Sequence, residues 1–455
     1  MTMTIGSPQA LHSDPLPQQL ARQDSERLRR YQQHLDFYQG RQWPGAARQR
    51  RLTFNYAKVV IDKVTSYLMG GTQIRVPPTE ETPEGHRRSQ AAEEALRRVW
   101  EENDLEQLDF ETELDTAILG DGCYKVTWDA EEGRVRVTAP DLQGLFAWWR
   151  EDDPSRVWRV ATRYRLEREA AEDMVGQSLP IRATEVAVTE VWTARELQVW
   201  VEESLVVERP NPYGFLPFVL FPNLRAPKEF WGVSDLVSLI EPGRELNRAF
   251  TQLSSILELS GNPIAVLENI EESHDIAVQP GAVWELPEHA RAYLVDLLQG
   301  GGIRLHVDYI DLLYRTIHDL TETPRSSFGD NSRSLSGVAL EMELHPLLQK
   351  VRRKRLIRTA AYRRRNELIL RLLEQKTGVS YAPYRTQLVW GPVLPQDRSR
   401  LVADEVASVQ AGLRSRRGAM SALGIEAPEA ELERWLEEEK AIFVFPIVRN
   451  APQSF

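Results

Sequence analysis

A serine- and glycine-rich stretch in the second half of the chain holds the residue types that could bind a phosphate. It reads TPRSSFGDNSRSLSGVALEMEL and covers residues 323–344. Gly329 and Gly337 permit a positive φ, which lets a loop bring several main-chain N–H groups towards one anion. A hydroxyl-rich loop ahead of a helix N-terminus is also a common anion site. The stretch is therefore a candidate phosphate-binding or catalytic loop.

The acidic residues that follow this loop favour a second interpretation. Glu341 and Glu343 stand near the start of the next helix, where negative side chains interact favourably with the helix dipole and disfavour a bound phosphate. Ser334 or Ser336 can cap that helix. The capping interpretation is preferred, and it leaves residues 325–333 as an exposed, mobile tip.

A basic run on the helix after the loop is the second candidate site. Residues 351–365 read VRRKRLIRTAAYRRR, and the net charge of the chain is −11. The cations could contact DNA phosphates or pair with acidic residues of a neighbouring chain, and the acidic net charge favours pairing. They are Arg352, Arg353, Lys354, Arg355, Arg358, Arg363, Arg364 and Arg365.

Residue types suited to enzyme or metal chemistry are sparse. Cys123 is the single cysteine, and the eight histidines lack the close spacing of zinc ligands, so we predict no catalytic residue, no metal site and no cofactor. A nucleic-acid-processing enzyme that holds a phosphate in the 323–336 loop remains an alternative. It would need a base beside the loop, and His318 with Asp319 is the nearest candidate. Adjacent residues of a helix diverge in direction, which weakens this alternative.

Composition and hydrophobic periodicity indicate a mixed α+β protein, mainly helical, with 455 residues in about three units. No run of 18 apolar residues occurs, so no membrane partner is expected. Residues 1–23 lack periodicity and predict a flexible arm. Helices are predicted over 28–38, 55–69, 89–103, 106–119, 246–257, 288–298, 310–320, 337–375, 397–412, 415–422 and 428–440. A polar loop is predicted over 77–88, and strands over 123–139, 157–166, 184–193, 196–207, 264–267 and 282–286.

Several of these segments, in this order, resemble the portal proteins of tailed bacteriophages over residues 25–440. FNYAKVVIDKVTSYLMGGTQI is similar to the N-terminal helix of that family, and AILGDGCYKVTWDAEEGRVRVTAPDLQGLFAWW to its wing. YGFLPFVLFPN and WGVSDLVSLIEPGRELNRAFTQLSSILELSGNPIAVL resemble the entry into the stem and the clip. TPRSSFGDNSRSLSGVALEMELHPLLQK looks like the tunnel loop and the long wing helix, and VQAGLRSRRGAMSALGIEAPEAELERWLEEE like the C-terminal helices.

The resemblance implies a portal-type division of the chain. After the 1–23 arm, the expected parts are a wing over 24–232, stem helix 1 over 233–261, a clip over 262–304, stem helix 2 over 305–322, the tunnel loop over 323–336, the long wing helix over 337–376 and a crown over 377–455.

The resemblance also implies a function and partners. The subunit would form a homo-oligomeric ring, a dodecamer, at one vertex of the capsid, through which double-stranded DNA is packaged, retained and ejected. The partners would be the terminase large subunit, neck or adaptor proteins, and the major capsid and scaffolding proteins, with host cytoplasm as the place of assembly. A cytosolic helical adaptor without DNA contact is a further alternative.

Two sets of site residues follow from the resemblance. The DNA-facing tunnel loop would be Arg325, Ser326, Ser327, Phe328, Gly329, Asp330, Asn331, Ser332, Arg333 and Ser334. The docking surface of the clip would be Glu268, Glu271, Glu272, Trp284 and Glu288.

Overall fold

A computed structural model describes most of the chain. The described residues are 15–43, 51–261, 265–269, 289, 291–294, 302–329, 337–394, 398–425 and 428–444. They fall into two compact units, 1–391 and 392–455. Both helices and strands are present, and helices predominate, in agreement with the fold class expected from the sequence.

Helices dominate the N-terminal part of the first unit. They are α1 (Leu16–Gln23), α2 (Ser25–Tyr38), α3 (Tyr56–Leu68), α4 (Pro83–Glu102) and α5 (Leu105–Leu119), with strand β1 (Thr72–Arg75) between α3 and α4. Helix α4 begins inside the predicted 77–88 loop, because the Thr82 side chain accepts a hydrogen bond from the Gly85 N–H and Pro83 occupies the first turn, where no N–H is needed.

The prediction of a flexible arm over residues 1–23 is wrong for its last residues, which form α1 (Leu16–Gln23). The prolines before α1 suggested an irregular chain, but Pro15 and Pro17 lie at the start of this helix, where proline is tolerated. Leu20 of α1 is fully buried and packs against apolar side chains of a β-sheet. Residues 1–14 lie outside the described residues.

Two antiparallel sheets form the middle of the first unit. Strands β2 and β3 pair with each other, β2 also pairs with β9, and the second sheet has the order β4-β5-β6-β7-β8. The predicted strand over 196–207 is two strands with a turn at Glu202, which has a positive φ. The strands are β2 (Asp121–Asp129), β3 (Arg134–Thr138), β4 (Leu145–Arg150), β5 (Asp153–Glu167), β6 (Glu185–Thr193), β7 (Glu196–Val201), β8 (Ser204–Pro210) and β9 (Phe218–Pro222), with a 3-10 turn at Leu142–Gly144 and helix α6 (Arg168–Val175).

Two long helices follow, with a small hairpin between them in the chain. Helices α7 (Ile240–Gly261) and α8 (Gly302–Thr321) contact each other, and strands β10 (Ala265–Glu268) and β11 (Arg291–Leu294) pair antiparallel. The helix predicted over 288–298 is wrong, because its middle is β11, whose main-chain groups pair with β10. Apolar runs this short do not distinguish strand from helix.

The longest helix closes the first unit. Helix α9 (Gly337–Thr377) has 41 residues and is about 60 Å long at 1.5 Å per residue. It packs against α3, α4 and the β2-β3-β9 sheet, and β12 (Gln387–Trp390) pairs with β1. The second unit contains the three helices expected there, α10 (Arg398–Gln410), α11 (Arg416–Ala422) and α12 (Pro428–Val444). Among the described residues, no helix is long and apolar enough to cross a membrane.

A close contact between two glycines joins the end of α5 to the segment before α7. A Cβ on Gly232 would lie 2.2 Å from the Gly120 carbonyl oxygen, and Asp121 Oδ1 accepts a hydrogen bond from the Gly232 N–H at 2.7 Å. We expect Gly232→Ala to lower the free energy of unfolding by about 1–3 kcal/mol, because the backbone must move apart. A Cβ added at Gly302 would have no atom of the described residues within 4 Å, so Gly302→Ala should change the free energy of unfolding by less than about 0.5 kcal/mol. Denaturant unfolding of both variants checks this, and equal stabilities would contradict it.

Candidate functional site

The start of the predicted 323–336 loop is anchored on the end of α8. His318 Nδ1 lies 2.6 Å from the Thr323 carbonyl oxygen and donates to it, and the Thr323 N–H donates to the His318 carbonyl at 3.1 Å. The hydroxyls of Thr321 and Thr323 are 2.5 Å apart. All three side chains are buried. The chain therefore leaves α8 in a fixed direction.

Aromatic packing holds the 3-10 turn Arg325–Phe328 against α8. The Phe328 and Tyr314 rings both meet the His318 ring edge to face, with centroid distances of 5.2 Å and 4.5 Å. The Arg325 guanidinium lies over Tyr314 and 3.6 Å from an Asp311 carboxylate oxygen. Burial lowers the pKa of His318, and Arg325 adds to this, so the ring is neutral near pH 7.

Helix α9 holds the end of α8, directly before this turn. Lys350 Nζ donates to the Thr321 carbonyl at 3.2 Å, which satisfies an end carbonyl of α8. Arg353 donates to both carboxylate oxygens of Glu322, at 2.5 and 2.7 Å. The loop therefore begins from a base formed by α8, the 3-10 turn and α9.

The prediction of an exposed, mobile tip over 325–333 needs correction for its first half. Ser327 is buried and donates to the Pro324 carbonyl at 2.5 Å, and Ser326 and Phe328 are partly buried. Arg325 and Gly329 are exposed. The sequence suggested a uniformly polar tip because it could not show that Phe328 packs on His318. The remaining candidate loop residues, Asp330, Asn331, Ser332, Arg333 and Ser334, lie outside the described residues.

The basic run on α9 contains three cations that belong to the core of the subunit. Lys354, Arg358 and Arg365 are all 0% exposed. They make ion pairs within the chain, so the prediction that they contact DNA or a neighbouring subunit is wrong. A buried charge needs a partner at hydrogen-bond distance, and α5 and the segment before α7 supply the carboxylates.

The first group of buried charges joins α9 to α5 and to Asp235. Arg358 donates to both oxygens of Glu113, at 2.6 and 2.9 Å, and Lys354 donates to Asp235 at 2.6 Å. Lys350 lies 3.3 Å from the second oxygen of Asp235. Burial acts to raise the pKa of Asp235, but Lys350 and Lys354 hold it well below its ordinary value. Because Lys350 also contacts the end of α8, the loop base is thereby tied to α5 and to the segment before α7.

The second group is a pair between α9 and the N-terminal half of α5. Arg365 donates through two nitrogens to the Asp109 carboxylate, and the Tyr124 hydroxyl donates to the same carboxylate at 2.7 Å. The guanidinium also lies over the Tyr124 and Tyr362 rings, at 4.6 and 4.7 Å. Asp109 and Glu113 stand four residues apart on α5, so one face of that helix receives both arginines.

The other cations of the run have different environments. Arg355 donates to the Leu68 and Gly391 carbonyls and so satisfies the C-terminal end of α3. Arg364 pairs with Glu367 on the surface at 2.6 Å. Arg352 and Arg363 are exposed, and among the described residues neither takes part in an ion pair. Arg352 and Arg363 therefore remain candidates for contact with DNA or a neighbouring subunit.

The residues required by the enzyme alternative are not arranged for catalysis. His318 is buried with Nδ1 occupied by a main-chain carbonyl, whereas Asp319 is exposed on the next position of α8. Within the described ranges, no group of three or more histidine, cysteine or acidic residues is arranged to hold a metal ion.

The predicted docking surface of the clip is described at one residue. Glu268 is exposed at the end of β10, and the Tyr293 hydroxyl donates to it at 3.3 Å. Glu271, Glu272, Trp284 and Glu288 lie outside the described residues.

Comparison with known proteins identifies a family. The family model described as phage portal protein, SPP1 Gp6-like, matches residues 18–442. The matched range includes the buried charge groups, the anchored loop base and the α7–α8 pair. No curated protein matches the chain.

Proposed function

The chain belongs to the SPP1 Gp6-like family of phage portal proteins, and from that membership we propose that it forms the DNA channel of a capsid. Its copies would assemble into a ring, a dodecamer, at one vertex of the virion. Double-stranded DNA would enter during packaging, be retained, and leave during ejection through the centre of that ring. The role is structural rather than catalytic, and the energy for packaging would come from a separate motor.

The single observation that carries this proposal is the extent of the family match. It covers residues 18–442 of 455, so it includes the elements on either side of the loop and most of the second unit. A match to one module would support only the fold of that module. A match across nearly the whole chain supports the function of the whole subunit.

The α7–α8 pair supports assembly on independent grounds. Large apolar side chains on these helices are exposed in the single subunit: Leu257, Leu305, Val307, Tyr309, Leu312 and Leu320. A helix surface of this kind indicates a protein interface, since exposed apolar patches are otherwise small on isolated subunits. Neighbouring copies would cover these side chains in a ring, which forms when head-to-tail contacts between identical subunits close on themselves.

The portal-type division of the chain follows as part of the proposal. The wing would be residues 24–232 with α9, the stem α7 and α8, the clip the segment with β10 and β11, and the crown residues 377–455. The tunnel loop would be 323–336, held at its first half by the base described above. Its DNA-facing residues would be Arg325, Gly329 and the residues from Asp330 to Ser334.

Partners are assigned to surfaces by the same reasoning. The clip, with Glu268, would dock the terminase large subunit during packaging and neck or adaptor proteins afterwards. Major capsid and scaffolding proteins would contact the wing. Assembly would take place in the host cytoplasm, and the final location would be the capsid vertex.

Native mass spectrometry of the purified full chain tests the proposal directly. We expect closed rings with a subunit number near twelve, which negative-stain microscopy should show with a central channel. A chain that stays monomeric at every protein and salt concentration would exclude the proposed function. Small open oligomers without a channel would favour the adaptor alternative.

A further inference from the structure

The outward face of α9 carries a large exposed apolar side chain and two cations that form no ion pair with any described residue. Arg352, Leu356, Ala360 and Arg363 follow one another at spacings of four, four and three, so they share one face of the helix, and all four are exposed. Leu356 is 69% exposed. We call these four residues the cationic stripe. It is about 16 Å long at 1.5 Å per residue.

The outward face of α5 has the opposite charge. Glu106, Phe110, Glu111 and Asp115 are exposed, and among the described residues no cation forms an ion pair with these acids. We call these four residues the acidic stripe; it is about 14 Å long by the same measure and covers about half of the circumference of the helix. Local desolvation and the nearby charges of Asp141 and Glu111 raise the pKa of Asp115 to about 6, as expected of acids that lack a counter-ion.

A cavity beside the acidic stripe is large enough to receive an apolar side chain. Its volume is about 690 Å³, and it is lined in part by Trp100, Leu105, Phe110, Glu106 and Glu111. Apolar rings and carboxylates thus border the same opening. Such a site suits a partner that presents a leucine flanked by arginines.

The two stripes face away from each other in one subunit. Arg358 of α9 and Glu113 of α5 mark the buried faces where these helices meet. Leu356 is two residues from Arg358, and Glu111 is two residues from Glu113, so each lies about 200° around its helix from the shared contact. The stripes therefore cannot pair within one subunit. Surfaces on opposite sides are what a head-to-tail contact between identical copies requires.

We propose that the cationic stripe of one subunit packs on the acidic stripe of a neighbouring copy, with Leu356 in the cavity and Arg352 and Arg363 paired with acids of α5. This inference rests on the proposed ring and specifies one of its subunit contacts. The lengths of the stripes agree, their charges are opposite, and each presents an apolar side chain at its centre.

DNA is a poorer partner for the cationic stripe. Contacts to phosphates use cations and polar groups, whereas Leu356 and, further along the helix, Met342 at 74% exposure would remain in water. Exposed Glu341 and Glu343 on the same helix would also oppose a phosphate backbone. Packing on an acidic protein surface would bury Leu356 and pair Arg352 and Arg363 with carboxylates, so it would avoid the cost of leaving the leucine in water.

Charge reversal in the full chain tests the contact. Arg352→Glu with Arg363→Glu, or Glu106→Arg with Glu111→Arg, should each raise the fraction of free subunits at least tenfold in native mass spectrometry. Combining all four substitutions should restore rings, because the new charges are complementary again. Arg182→Glu with Arg209→Glu makes the same charge change at exposed positions elsewhere and should leave rings intact.

The outcomes separate this inference from the proposed function. Rings that persist in both reversed variants, or that fail to return in the combined variant, would overturn the contact while leaving the portal role in place. An unmodified chain that never forms rings would overturn the portal role itself. Intact rings that lose binding to a labelled DNA duplex on reversal of Arg352 and Arg363 would assign the stripe to DNA and overturn the contact.

Cross-linking gives a second readout that does not depend on ring stability. Cys123 is buried, so cysteines introduced as Leu356→Cys and Phe110→Cys would be the accessible thiols. A short bifunctional maleimide should join them between subunits and give a ladder of covalent multimers in denaturing gels. Each single-cysteine variant should give no ladder, and rings of the double variant that yield only monomers would also overturn the contact.

Discussion

Replacing Arg365 with methionine is expected to lower the free energy of unfolding by about 3–5 kcal/mol. The substitution removes both guanidinium bonds to Asp109 and leaves a carboxylate 1% exposed with the Tyr124 hydroxyl as its remaining donor. A charge that loses its partner in a buried site costs this much because water cannot replace the lost bonds. Denaturant unfolding of both proteins at the same concentration measures the loss, because the apparent stability of an assembling chain depends on its concentration.

Two further variants isolate the cause of that loss. Asp109→Asn combined with Arg365→Met removes both charges and keeps an amide oxygen for Tyr124, so it should recover most of the stability. Arg364→Met, one residue away, breaks only the surface pair with Glu367 and should cost less than about 1 kcal/mol. An Arg365→Met variant as stable as Arg364→Met would show that the buried pair contributes little.

The sequence was sufficient to predict most helices and their order. Apolar spacing marked α7 and α8, and the structure places them at Ile240–Gly261 and Gly302–Thr321, close to the predicted 246–257 and 310–320. Apolar periodicity of this kind shows which face of a helix is buried, so the helix can be predicted without knowing which element packs against it. Short elements such as β11 carry too few residues to reveal a period.

The buried cations show what periodicity cannot provide. Arg358 and Arg365 lie 245 and 256 positions from Glu113 and Asp109, and no local pattern identifies pairs at that separation. A signal was nevertheless present. Lys354, Arg358 and Arg365 share one helix face by spacing, and Asp109 and Glu113 share a face of a helix that is otherwise uncharged there. A basic run in which several cations share one helix face can therefore form ion pairs inside the subunit as well as contact an external partner.

The anchored loop base changes which part of the loop is expected to act on DNA. His318 contacts Thr323 and Phe328, and Lys350 and Arg353 hold the two preceding residues, Thr321 and Glu322. The segment from Thr323 to Phe328 therefore starts from a position fixed by α8 and α9. The contacts that depend on the loop's length must come from the residues after Gly329. Ser327, one of the serines that first suggested a phosphate site, is instead a buried residue of the base.

Deleting Asn331 to Ser334 is therefore expected to reduce packaged DNA at least tenfold while rings form normally. The deletion leaves the base untouched, because the hydrogen bonds of its described residues end at Gly329. It removes four of the residues proposed to face DNA and shortens the reach of the loop. Nuclease-protected DNA per particle, measured in an infection where the variant replaces the natural subunit, gives the effect. Native mass spectrometry of the same variant establishes that the ring is intact.

A length-preserving variant separates reach from side-chain chemistry. Replacing Asn331, Ser332, Arg333 and Ser334 by a glycine-serine repeat keeps the span of the loop, so packaging should return towards normal if reach is what matters and stay low if the polar side chains are needed. Gly302→Ala, at an open position at the start of α8, serves as a neutral control in the same assay. Normal DNA content in the deletion variant would refute a role of this loop in handling DNA, and the portal assignment would then have to rest on the ring and the clip.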